Sequence, residues 1–260
     1  MLKILKYSLS DMMRSRWIYI YTLFYLLLTT ALFWLSPDLS KVIISLMNII
    51  LVLSPLIAAL FSTLYFQQSR EFTELLLAQP VRRSSIFWGQ YFGVALSMSL
   101  SLLTGLGVPF LFYGLLVSGE IWNFLVLLFA GIILSLIFSG LAYYIALKTE
   151  NKIKGFSLTI LLWLFFAVIY DGLFLLILVL FNDYPLDKFA LGASLFNQIN
   201  LARVLILLKL DISALMGYTG AVFQQFLGSA PGMSIAVASL LVWAALPVWG
   251  IRRVAMKKDF

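Results

Sequence analysis

The chain contains no cysteine and no histidine. The first absence removes disulfides, thiol redox chemistry and Cys-based metal sites. The second removes Ser-His and Cys-His nucleophilic machinery, the H-E-x-x-H zinc motif and haem ligation by histidine. Charge is scarce too: 11% of the residues are Asp, Glu, Lys or Arg against 63% hydrophobic, with a mean hydropathy of +1.03. That balance excludes a water-soluble domain. No G-x-x-x-x-G-K-[ST] phosphate loop occurs, so the chain is not itself a P-loop NTPase. Soft Cu(I) is left with eight methionines and no Met-x-x-Met pair, and these read as packing residues rather than a copper route.

What the chain has instead is long apolar runs. They extend over Trp17 to Pro37, Val42 to Ser69, Ser84 to Gly119, Ile121 to Leu147, Gly155 to Tyr170 continued past Asp171 to Asn182, and Ile212 to Ile251. A spanning helix needs roughly 20 predominantly apolar residues, because backbone in hydrocarbon must satisfy its own hydrogen bonds. Each run supplies one helix, which predicts an all-α polytopic membrane protein with six transmembrane helices in a single permease-sized domain over 1–260.

The basic residues give the orientation. Lys3, Lys6, Arg14 and Arg16 precede the first run; Arg70, Arg82 and Arg83 follow the second; Lys148, Lys152 and Lys154 follow the fourth; Arg252, Arg253, Lys257 and Lys258 follow the last. Only Lys41, Lys188, Arg203 and Lys209 of the 18 fall on the other side. The positive-inside rule therefore places both termini in the cytoplasm. The pI near 9.6 follows membrane topology and does not indicate nucleic-acid binding.

Residues 1–16 place Leu2, Leu5, Leu9 and Met12 or Met13 at three- and four-residue spacing, which predicts an interfacial amphipathic helix rather than a cleaved signal peptide. Ser36, Pro37 and Asp38 form the first outer turn. Gly105, Gly107, Pro109 and Gly114 lie in the outer half of the long third run, where they fit either a kink or helix packing through small residues. Residues 183–232 form the one sizeable region outside the bilayer. Within it Leu201, Val204, Leu205 and Leu208 share a face, which predicts a short helix lying on the outer membrane surface, and Gly228 to Gly232 break the chain before the last span.

Asp171 is an acid inside an apolar run. Such a residue costs about 2.5 to 3.5 kcal/mol at mid-helix on insertion scales, so it marks a polar pathway or subunit interface, or else a neutral acid bonded to a neighbouring helix. Tyr170-Asp171 matches the first half of an intramembrane aspartyl protease signature, but that reaction needs two carboxylates. The second signature, Gly-x-Gly-Asp, is missing.

The segment 67–90 carries the most specific pattern. Arg70-Glu71-Phe72-Thr73-Glu74-Leu75-Leu76-Leu77-Ala78-Gln79-Pro80-Val81-Arg82-Arg83 runs into Ser84-Ser85-Ile86-Phe87-Trp88-Gly89-Gln90. A short helix is stopped near Pro80 and followed by arginines at the membrane surface. This order resembles the loop between spans two and three of type-2 ABC-transporter permeases, roughly E-x-G-T-x-E-x-L-L-x-x-P-x-x-R-x-x-I-x-x-G-K. Glu74, Leu76, Leu77, Pro80, Arg83, Ile86 and Gly89 match it; Phe72 stands for the glycine and Gln90 for the lysine. The resemblance implies that Arg70, Glu71, Glu74, Pro80, Arg82 and Arg83 dock a cytoplasmic ATPase, that ATP is bound in that partner, and that this chain is non-catalytic and binds no cofactor or metal.

A narrower resemblance lies in Tyr170-Asp171, Asn197-Gln198-Ile199-Asn200-Leu201-Ala202-Arg203 and Gly217-Tyr218-Thr219-Gly220. It is similar to the membrane subunit of the ABC transporters (Nos) that assist nitrous oxide reductase maturation, where the second segment tends to read Asn-Pro-x-Asp-x-x-Arg; Gln198 and Asn200 depart from it. This implies a homodimeric inner-membrane permease that meets an ATPase inside, lipid around it, and a periplasmic copper-handling partner through Asn197, Asn200 and Arg203. An exporter of lipid, drug or polysaccharide with the same fold is the alternative, and a stand-alone secondary transporter a third class.

Overall fold

The computed structural model describes residues 2–181, 186–210, 226, 228 and 230–257. Among them the chain is all-helical, and six helices or continuous helix pairs are long and apolar enough to cross a membrane. These are α2 (Arg16–Leu35), α3 (Leu39–Gln68), α5 (Arg83–Phe112), α6 (Ile121–Lys148), the pair α7 (Lys152–Leu164) and α8 (Tyr170–Leu180), and α11 (Ala230–Lys257), whose apolar window is Gly232–Met256. Four shorter helices complete the fold among the described residues: α1 (Leu2–Met13), α4 (Arg70–Leu77), and the consecutive pair α9 (Asp187–Phe196) and α10 (Gln198–Lys209). The motif Gly217-Tyr218-Thr219-Gly220 and Lys258 lie outside the described residues.

Helix α2 has 20 residues, about 30 Å at 1.5 Å per residue, which matches the hydrocarbon thickness. Helices α3 and α5 have 30 residues each and therefore tilt or project. The boundaries follow local chemistry. Asp38 caps α3 by accepting from Ser40 N and Lys41 N. Asn151 caps α7 through Ile153 N and Lys154 N. Gly114, with φ +85°, takes the left-handed turn that ends the third span just past Phe112.

The core is the contact of α3 with α6. Ser54, Ala58 and Ser62 on α3 recur every four residues, and so do Gly131, Ser135 and Ser139 on α6, so each helix presents a small stripe that lets the backbones approach. Ser54 Oγ lies 2.7 Å from Ser135 Oγ, and Ser62 Oγ donates to the Ser139 carbonyl at 2.8 Å. Such bonds average about 0.6 kcal/mol in membrane proteins, so close packing rather than hydrogen bonding holds this seam. Around it lie Ile43, Leu46, Ile50, Leu102, Leu127, Leu134 and Phe138, all fully buried.

Helix α1 is amphipathic, but the face it gives to the protein centres on Ser8 and Met12, with Ile4 and Leu9 beside them, while Leu2 is exposed. The reason lies in α5. A Cβ on Gly93 would sit 2.5 Å from Ser8 Cβ, and one on Gly89 2.9 Å from an Ile4 methyl, so the two glycines set how closely α1 approaches.

The pair α9–α10 revises the expectation of a helix lying on the outer surface. The two helices meet at 113° around Asn197. Residues Ile199, Leu201, Ala202, Val204 and Ile206 of α10 are buried, packed against α3, α6 and α11. The Leu195 carbonyl accepts from Trp243 Nε1 at 3.1 Å, and Trp243 stands near the midpoint of the Gly232–Met256 window. The bend therefore reaches the middle of the bundle. Asn197 and Arg203 meet Phe166 and Asp171 in the order in which those two climb the fifth span, so α10 runs back the way α9 came. The pair is a bent hairpin packed within the bundle. Each limb is too short to span, and its polar backbone at the bend is sheltered by protein, the condition under which irregular backbone survives at membrane depth.

Candidate functional site

Two polar anchors lie at different depths of the bundle. The first fastens α4 at the end that carries most of the basic residues. Helix α3 stops at Gln68 and Ser69 turns the chain into α4, so that Thr73 faces inward, 1% exposed. Its hydroxyl donates to the Ser69 carbonyl at 2.8 Å and accepts from Gln90 Nε2 at 2.8 Å. Gln90 Oε1 in turn accepts from the Tyr143 hydroxyl at 2.7 Å. Thr73, Gln90 and Tyr143 thus form a buried chain from α4 through α5 to α6. Phe66 of α3 closes an edge-on ring contact with Tyr143 at 5.1 Å.

The residues expected to dock an ATPase all lie on α4 or on the turn into α5. Glu71, Glu74, Pro80, Arg82 and Arg83 are exposed. Arg70 pairs with Glu74 at 3.2 Å across one helical turn, both side chains being about half in solvent. Leu75, 68% exposed, adds an apolar element to the same surface. Behind it Phe72 stacks on Tyr7 of α1 at 4.9 Å between ring centroids, so α1 and α4 form one layer. The family-pattern departures at Phe72 and Gln90 are both explained: one grips α1, the other grips Thr73 and Tyr143. The sequence marked Gln90 as a substitution and did not mark Thr73 or Tyr143 at all, since their significance rests on contacts 17 and 53 residues apart.

The second anchor holds the hairpin. Residues Phe165–Ile169 form a π-helical turn between α7 and α8, in which the Tyr170 N–H bonds to the Phe165 carbonyl instead of the Phe166 carbonyl. The Phe166 carbonyl accepts from Asn197 Nδ2 at 2.9 Å. A single π turn inside an α-helix frequently marks a functional place, and here it supplies an acceptor at the hairpin bend. Asn197 Nδ2 also reaches Asp171 Oδ1 at 2.9 Å, while Asn197 Oδ1 accepts from Ile199 N and Asn200 N and so caps α10. Arg203 Nη1 donates to Asp171 Oδ2 at 3.0 Å. The Tyr170 hydroxyl donates to the Ala193 carbonyl at 2.6 Å.

Sequence reasoning treated Asp171 and the Asn197 to Arg203 segment as separate features, one inside the membrane and one outside it. The structure joins them. Both carboxyl oxygens of Asp171 are taken by the neighbouring segment, one by the Asn197 amide and one by the Arg203 guanidinium. The groups that contact it are a cation and a neutral amide rather than the second carboxylate an aspartyl protease requires. Asn197 and Asn200 are 0% and 5% exposed, so in this conformation they are turned inward, Asn200 onto Ser194 Oγ at 3.3 Å. Arg203 keeps 28% of its side chain accessible.

No protein-family model matches the chain. A curated protein of Stutzerimonas stutzeri, named probable ABC transporter permease protein NosY, is 27% identical over 263 residues, which cover 93% of this chain and 90% of that protein. The same name is carried by a protein of Pseudomonas aeruginosa that is 24% identical over 268 residues, 96% of this chain and 93% of that one. Six candidate spans, an all-helical fold among the described residues and similarity along nearly the whole length agree: the chain is similar to ABC-transporter permeases of the NosY type.

Proposed function

We propose that this permease transmits the ATP-driven movement of a cytoplasmic ABC ATPase to an extracytoplasmic partner, working as a lever, and that its client process is copper-site maturation of nitrous oxide reductase. The observation that carries the reading is the buried Thr73–Gln90–Tyr143 chain, because it ties the exposed α4 surface to α6. Helix α6 also packs against α10. A push on α4 therefore reaches, through one rigid helix, the hairpin that faces the other side. In this reading the basic end lies in the cytoplasm of a bacterial inner membrane. Two copies pair, and the almost wholly exposed apolar face of α7–α8 offers surface for a second copy. The outer partner is a periplasmic copper-handling protein that meets the hairpin side near Arg203. No route for copper through the chain is required, since thiolate and imidazole ligands are missing.

A type-2 exporter of lipid, drug or polysaccharide is the second reading, favoured by the same α4 surface. Glu74→Lys separates docking from folding. The exposed pair it breaks contributes about 0.3 to 0.5 kcal/mol, so membrane abundance should stay unchanged. A like charge at the interface can cost several kcal/mol, so co-purified ATPase and stimulated turnover should fall steeply. Normal association and turnover in the variant would remove α4 as the docking site. Nitrous oxide reductase copper content in a chromosomal Glu74→Lys strain then distinguishes the client: an exporter of another cargo leaves it unaltered.

A further inference from the structure

A groove of about 430 Å³ opens between α5, α6 and α11 near the basic end, a volume typical of small-ligand sites. It exists because of a mismatch in side-chain size. Helices α6 and α11 touch at Gly140, where a Cβ would lie 2.9 Å from the Pro247 ring. Next to that contact α11 presents only Ala244 and Ala245 towards Phe92 and Leu136, and nothing fills the space. The mouth is different in chemistry. It carries Trp88, Trp249 and Arg252, and the Arg253 guanidinium lies 3.6 Å from the Trp249 ring centroid, which holds the indole in place. The Trp88 indole N–H itself is turned into the protein.

Depth identifies the occupant. Trp88 is little more than a turn from Arg83, where α5 begins, and Trp249 and Arg252 fall in the last three turns of α11. Tryptophan and arginine at both helix ends mark the headgroup level, with the alanine-lined floor below it in hydrocarbon. None of the ion pairs among the described residues includes Arg252. We propose that the groove binds one anionic phospholipid from the leaflet at the basic end, with an acyl chain along Phe92, Leu136 and Ala245 and the phosphate at Arg252. This site does not depend on how the permease is coupled to ATP.

The test uses the full-length permease in nanodiscs containing phosphatidylglycerol or phosphatidylcholine with a photoactivatable acyl chain, with cross-links mapped by mass spectrometry. Phosphatidylglycerol label should concentrate on Trp88–Phe92 and Ala244–Val248. Arg252→Gln should lower that labelling about fivefold, the worth of one basic residue near an anionic surface, and leave phosphatidylcholine labelling unchanged. Ala245→Trp should remove groove labelling with either lipid, and unaltered labelling of α7–α8 in each variant shows an intact bundle. Equal groove labelling by the two lipids, label spread evenly over all lipid-facing helices, or groove labelling that survives both substitutions would each overturn the proposal.

Discussion

The two anchors differ in kind. At the basic end α4 is fastened by neutral groups, a hydroxyl, an amide and a phenol, while its ion pair among the described residues, Arg70 with Glu74, stands outside in solvent. At the hairpin the order is reversed: a carboxylate and a guanidinium, each about a quarter exposed, form the inner contact. Water explains the contrast. Next to an aqueous phase a charged pair contributes little and a buried neutral bond suffices. Inside the bundle a single charge is expensive, so a charge brings its partner with it. The ion pair consequently acts as a registry device, because α10 placed one turn higher or lower leaves both charges unpaired. The hairpin has one comfortable position, whereas α4 holds by bonds of modest strength that an attached ATPase can strain.

The largest expected effect tests that contrast at the hairpin. Arg203→Met leaves Asp171 without its cation at a cost of about 2.5 to 3.5 kcal/mol, which should appear as a lower unfolding temperature and reduced membrane abundance. Asp171→Leu combined with Arg203→Met should recover most of the loss, since replacing a whole buried pair with apolar groups is often neutral. Equal instability in the single and double variants would show that the pair does not set the registry. The double variant is also the cleaner probe of passage against leverage. Asp171→Asn alone and Arg203→Glu alone strike the same contact, so they do not report separate roles. If copper maturation persists in a stable double variant, Asp171 is not part of a conduit.

A smaller effect belongs to the basic end. Gln90→Leu strands the Tyr143 hydroxyl and removes the donor to Thr73, and an unsatisfied buried polar group costs about 1 to 3 kcal/mol. The fold should survive, with ATPase still bound but stimulated turnover lowered, because α4 is released from α6. Unchanged turnover in that variant would sever the proposed path and return the cytoplasmic anchor to a packing role.

The difference between the ends also explains what the sequence could and could not show. Each of the six apolar runs overlaps one of the six candidate spans, since length and hydropathy alone decide them. The α4 segment was legible because its chemistry is local, eight helical residues followed closely by Pro80. The hairpin was not. Its limbs of 10 and 12 residues are too short to register as spans, and Gln198, Asn200 and Arg203 make the stretch look wet. Arg203 is polar because it pairs with Asp171 32 positions away, as Asn197 does across 26, while Asn200 turns onto Ser194. The π turn is silent in the sequence, its residues Phe165 to Ile169 being ordinary apolar ones. Helix α1 shows a middle case: its amphipathic period was readable, but that Ser8 would point inward depended on Gly89 and Gly93 in another helix.

The smallest effect sharpens the comparison at the contact between α1 and α4. The Phe72 ring is stacked on Tyr7, 4.9 Å away and 29° from parallel. An aromatic pair of this type contributes about 0.5 to 1.5 kcal/mol beyond the area it buries, and glycine within α4 adds a helix-propensity cost of up to about 1 kcal/mol. Phe72→Gly should therefore loosen α1 from α4 without unfolding the bundle, because Gly89 and Gly93 still seat α1 on α5. Phe72→Ala retains helix propensity and removes only the stack, so it isolates the ring contact. Proteolysis between α1 and α2, near Arg14 and Arg16, gives the measurement: cleavage should rise in both variants, and by nearly the same factor if stacking is the dominant contact. Basal ATPase association should be retained, since the exposed face with Glu71, Glu74 and Leu75 points away from Tyr7. Tyr7→Leu should repeat the proteolysis result from the other side of the pair. If Phe72→Ala protects α1 as well as the native chain does, the layer formed by α1 and α4 is held by α5 alone, and α1 then takes no part in passing movement from the ATPase into the membrane.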